Sequence, residues 1–82
     1  MFLPFQSFED GTELVCSPWK NDSTTVLLET PDEQYAFKTL KLTIPGCQMQ
    51  MVYGFDDAET EYWLAFCKEH EEEIIEFAKK CR

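Results

Sequence analysis

A chain of 82 residues with sixteen Asp and Glu against seven Lys and Arg carries a formal net charge of −9. The length sets a single domain over 1–82. The charge repels phosphate backbones and anionic lipid head groups, so direct nucleic-acid binding and membrane-surface binding are both set aside.

In chain order, Met1-Phe2-Leu3-Pro4-Phe5 is apolar, but it lacks a basic flank and is cut off at Glu9-Asp10. It does not read as a secretory signal, and no run in the chain nears the ~20 apolar residues of a membrane span. Thr12 to Cys16 reads as a first strand, closed by Ser17-Pro18 and the Lys20-Asn21-Asp22-Ser23 turn cluster. Thr24 to Thr30 is a second strand with Val26 and Leu28 on one face, and Pro31-Asp32-Glu33 turns the chain. The third strand runs from about Gln34 to Ile44. Tyr35 and Phe37 occupy one parity while Leu40, Leu42 and Ile44 occupy the other, so a bulge near Lys38-Thr39 is expected to reconcile them. Pro45-Gly46 is a turn, and Gln48 to Tyr53 is a fourth strand that alternates cleanly. Met49, Met51 and Phe37 are expected in the core.

The last third reads as one helix from Asp57 to Cys81, about 37 Å long at the usual rise. Asp56 is its N-cap and Glu59 completes a capping box. Trp63, Cys67, His70, Ile74, Phe77, Ala78 and Cys81 converge on one face, flanked by Leu64 and Phe66, with the acids opposite. The expected fold is therefore α+β: a small antiparallel sheet of about four strands in a meander, packed by one long C-terminal amphipathic helix, with a sheet enlarged by an N-terminal strand equally open. A typical strand spans only ~17–20 Å, so one end of such a helix is expected to overhang the sheet.

No constellation for catalysis emerges. Cys67 and His70 stand at i,i+3, as in half a zinc site, but the cysteines at 16, 47, 67 and 81 lack knuckle spacing. A lone His among Trp63, Ile74 and Phe77 reads as a core or boundary histidine. A thiolate nucleophile would need an exposed, activated thiol and an oxyanion hole, and nothing glycine-rich lies beside Cys67. The cysteines read as reduced small hydrophobes, which places the chain in a cytoplasm. No enzyme activity, cofactor or metal is expected.

The acids are the informative feature. Glu69, Glu72, Glu73 and Glu76 crowd less than two helical turns with Glu71, and Asp56, Asp57, Glu59 and Glu61 form a second cluster at the helix start. Like charges at i,i+3 and i,i+4 repel by a few tenths of a kcal/mol per pair, a cost that a basic partner would offset. A rigid helix with regularly spaced carboxylates imitates phosphates, and Tyr62 and Trp19 are candidate aromatic anchors beside it. The expected activity is that of an inhibitor binding a basic, nucleic-acid-handling protein. Anti-CRISPR, anti-restriction and nuclease-immunity proteins share this physical profile, an analogy of profile and not of motif. The alternative is a structural or adaptor domain, or a homodimer, whose acidity serves only solubility.

Overall fold

The computed structural model describes residues 2–34 and 36–80. Its strands are β1 (Leu3–Ser7), β2 (Glu13–Cys16), β3 (Thr24–Asp32), β4 (Ala36–Ile44) and β5 (Gln48–Tyr53), followed by helices α1 (Asp57–Glu69) and α2 (Glu71–Lys80). The strands form one antiparallel sheet in the order β1-β2-β3-β4-β5, a meander in which each strand pairs with its neighbour in sequence. Short turns dictate this arrangement, because a parallel neighbour would need a crossover of a dozen or more residues.

The alternation of β2, β3 and β4 divides the sheet into two faces. Leu14, Cys16, Val26, Leu28, Leu40, Leu42 and Ile44 point to one side and are fully buried beneath Trp63, Cys67, Ile74 and Ala78 of the helices. Each buried Leu, Ile or Val contributes about 1.5–3 kcal/mol over leaving it in water. The buried polar side chains are paired: Thr12 with Thr30 (2.7 Å), and Thr24 donating to the Ser17 carbonyl (2.6 Å). Phe5 lies edge-on to Phe77 at 5.4 Å, and Phe8 to Trp63 at 5.1 Å and Phe66 at 5.3 Å. The N-terminal aromatics Phe5 and Phe8 thus fasten β1 and its loop to both helices, while Phe2 stays exposed.

Several expectations are corrected. The sheet has five strands: the apolar N-terminal segment forms β1, the added strand that the sequence left open. Pro31 and Asp32 still belong to β3, paired with Phe37 and Ala36, so the reversal begins at Glu33. No bulge interrupts β4 near Lys38-Thr39: its register with β3 is continuous from Thr24↔Ile44 to Asp32↔Ala36. Phe37 therefore keeps its parity, points away from the helices and is 51% exposed. The shift lies one strand further on, where Lys41 opposes Met51 and Leu42 opposes Met49, leaving Gln50 as the extra residue of a bulge in β5. Met49 and Met51 are not core residues, at 41% and 45% exposure, and every residue of β5 is exposed. Trp63 is buried as expected. Tyr35 and Cys81 lie outside the described residues.

The long helix is in fact two. His70 caps α1 with its amide donating to the Phe66 and Lys68 carbonyls, and α2 restarts at Glu71. The charges suit the break. In a continuous helix Glu72 and Glu73 would face Glu69 at i,i+3 and i,i+4 in mid-helix; here Glu71, Glu72 and Glu73 occupy the first turn of α2, where negative charge complements the dipole. Past the break, α2 ends against the β2–β3 turn, where the Trp19 amide donates to the Ala78 carbonyl at 3.1 Å. The C-terminal end is thus docked, not left as an overhang.

Candidate functional site

The structure sorts the acidic residues into those with intramolecular work and those without. Asp56 accepts the Glu59 amide at 2.8 Å, and the Glu59 carboxylate accepts the Asp56 amide at 3.1 Å, completing the capping box. Glu59 also accepts from Lys38 Nζ at 3.0 Å, which raises the Lys38 pKa above its ordinary value; Asp32 stands 3.9 Å from the same nitrogen. Glu71 turns back to the β4–β5 turn and accepts from the Gly46 amide at 3.3 Å and the Cys47 thiol at 3.6 Å. Glu73 lies 2.9 Å from His70 Nδ1.

The remainder are uncommitted. Asp57, Glu61, Glu69, Glu72 and Glu76 are exposed, and among the described residues they enter no salt bridge or side-chain hydrogen bond. Glu72, Glu73 and Glu76 rim a shallow hollow of about 300 Å³ with Ile75 among its walls. That combination suits a Lys or Arg side chain, whose methylene stem lies on apolar surface while its charged head meets carboxylates.

The two aromatic candidates have different settings. Tyr62 is 62% exposed, edge-on to Trp63 at 4.9 Å, and shares a hollow of about 500 Å³ with Phe8, Glu9 and Asp10. Glu9 and Asp10 were not singled out by sequence, because only the β1–β2 loop brings them to α1. Hydrogen bonds from Thr12 hold the Asp10 carboxyl below its ordinary pKa, and its Oδ1 accepts the Thr12 amide at 2.8 Å. Trp19 is half-buried at the far end of α2 from Glu72, with Lys79 Nζ 5.0 Å from its ring centroid. Lys20 borders the same surface, so Trp19 sits in basic surroundings and not within the acidic patch.

Cys67 and His70 are not brought to a common site. Cys67 is fully buried, and burial next to Cys47 pushes its thiol up to about 12; burial, with Glu71 second, raises Cys47 as well. A thiol so placed is a packing group and holds its proton at neutral pH. His70 instead lies tilted against Phe66, with ring centroids 4.3 Å apart and the planes at 37°, and reaches Glu73. Among the described residues no group of three or more His, Cys, Asp or Glu side chains is placed to hold a metal ion, and no helix is long and apolar enough to cross a membrane.

The chain matches no protein-family model, no curated protein and no solved structure.

Proposed function

We propose that this protein is a non-enzymatic inhibitor that binds a basic, nucleic-acid-handling protein through the outer surface of α1 and α2. The observation that carries this reading is the set of uncommitted carboxylates at Asp57, Glu61, Glu69, Glu72 and Glu76, none of them in a salt bridge among the described residues. The helices do carry Lys68 four residues before Glu72 and Lys80 four residues after Glu76, but among the described residues neither lysine forms a salt bridge, and Lys38 and Lys79 are engaged elsewhere. The field of the carboxylates speeds encounter with a basic surface. The Ile75 hollow receives one basic side chain, and Tyr62 supplies a desolvated aromatic contact beside Glu9 and Asp10. Occupying the partner's phosphate-binding groove would block its nucleic acid.

The test is a tagged pull-down from nuclease-treated lysate, comparing the parent with Glu69→Gln/Glu72→Gln/Glu73→Gln/Glu76→Gln. The reading expects a basic nucleic-acid-binding protein that elutes at high salt and is lost from the quadruple variant. It also expects that the purified partner loses its nucleic acid when this protein is added. A quadruple variant that retains the same partner as well as the parent does would overturn it.

A further inference from the structure

The opposite side of the molecule has the reverse character. From Leu42 to Phe55 no residue is charged, and this stretch contains β5, whose residues are all exposed. Among the described residues β5 pairs only with β4, so one edge of the sheet presents main-chain donors and acceptors along an uncharged strand. Its side chains add apolar surface on both faces: Met49 and Val52 share the helix side with their partners Leu42 and Leu40, and Met51 lies on the open side opposite Lys41. The open side continues inward through Leu27, Val15 and Pro4, joined by cross-strand pairing along one row.

Exposed edges of this kind are ordinarily blunted by Lys, Pro or a bulge that twists the strand away. The other edge is blunted: β1 carries Pro4 and a register shift between Pro4 and Gln6. β5 has a bulge at Gln50 but neither charge nor proline.

We propose that β5 is a self-association edge, along which a second copy of this chain pairs antiparallel about a twofold axis to continue the sheet. Charge selects the occupant. Two chains of −9 each repel over most of their surface, and this edge is where the strand itself brings no carboxylate, with Glu71 at the Gly46–Cys47 turn and Asp56 beyond Gly54 only at its ends. An edge strand is also self-complementary under a twofold, so the exposed Met and Val side chains of one copy meet those of the other. Because the β1 edge is blunted, pairing closes at two copies and does not propagate into a fibre. Strand pairing with these side chains covers roughly 1,000 Å² in total, the lower end for a specific interface. This inference stands independently of the inhibitor reading. Salt weakens carboxylate-mediated binding to a basic partner, whereas salt screens the repulsion between copies and tightens the dimer.

The experiment is sedimentation equilibrium of the full chain at about 50 mM and about 500 mM salt, bracketing a Debye length of ~10 Å at 0.1 M, repeated with Met51→Lys/Val52→Lys. Both sites are exposed, and circular dichroism checks that the variant keeps its fold; if the double variant unfolds, Met51→Lys alone carries the comparison. The expected result is a reversible dimer, several-fold tighter at high salt and at least tenfold weaker in the lysine variant. That loss would arise although the added lysines bring the net charge nearer zero, so general repulsion cannot cause it. A parent that stays monomeric at both salts, or a folded lysine variant that dimerises as well as the parent, would overturn the proposal.

Discussion

The outer surface of α1 and α2 and the β5 edge are both solvent-exposed, yet they are built from opposite chemistry. On the helices, Asp57, Glu61, Glu69, Glu72 and Glu76 stand without a salt-bridge partner among the described residues. Along β5 there is no charge at all, only Gln, Met, Val and Tyr. On the two proposals above, the helical surface would take an unlike, basic partner and the sheet edge a like one, and their responses to salt would have opposite sign. Net charge alone could not have separated them; its placement does.

The two regions share one core, and removing its keystone should disable both. Trp63 is buried and packs against Phe8, Tyr62 and Phe66, joining α1 to the β1–β2 loop. Trp63→Ala is expected to lower stability by about 3–5 kcal/mol, a large share of the ~5–15 kcal/mol typical of a domain, as read by denaturant unfolding.

Smaller changes address one region at a time. Gly54 ends β5 at φ +87°, and a Cβ there would lie 2.9 Å from Lys38 Cγ and 3.3 Å from its Cα. Gly54→Ala should cost about 1–2 kcal/mol from the left-handed backbone alone, and should disturb the Lys38–Glu59 ion pair together with the sheet edge. Asp56→Ala should cost about 1 kcal/mol through the lost cap, whereas Asp56→Asn, which still caps, should cost much less. If Asn were as damaging as Ala, the carboxylate charge and not the cap would be what matters at Asp56.

The pH response of Asp10 should be the slightest effect. Its folded pKa lies below the ordinary 3.8 because Thr12 donates to the carboxylate. The stabilisation is therefore complete above that ordinary value and fades as pH falls through the depressed one. The stability difference between the parent and Asp10→Ala should accordingly be constant near neutrality and shrink in acid, as followed by thermal unfolding at stepped pH.

Much of the architecture was legible because local rules and tertiary packing agreed. Val26 and Leu28 alternate as a half-covered strand must, and Asp56 with Glu59 marks the helix start. The misses have specific causes. Whether the N-terminus adds a strand stayed open in the sequence, because β1 is held by aromatic contacts from Phe5 to Phe77, far away in sequence, and Pro4 hides a strand that exists only at an edge. The facing of Phe37 depended on locating the bulge, which sits at Gln50 of the neighbouring strand and leaves β4 regular. The break at His70 was written in the run Glu71-Glu72-Glu73, which suits a helix start better than a helix middle. The acidic residues were visible as a group, but only contacts show that Asp56, Glu71 and Glu73 are engaged within the chain while Glu69, Glu72 and Glu76 face outward.

The decisive measurement is the dissociation constant of self-association as a function of salt, for the parent and for Glu69→Gln/Glu72→Gln/Glu73→Gln/Glu76→Gln side by side. If acids on the helices repel copies that meet along an uncharged edge, the parent tightens as salt rises, and the Gln variant begins tighter and changes little. A parent dimer that loosens with salt, or a Gln variant that associates no better than the parent at low salt, would contradict the division of labour between the two surfaces.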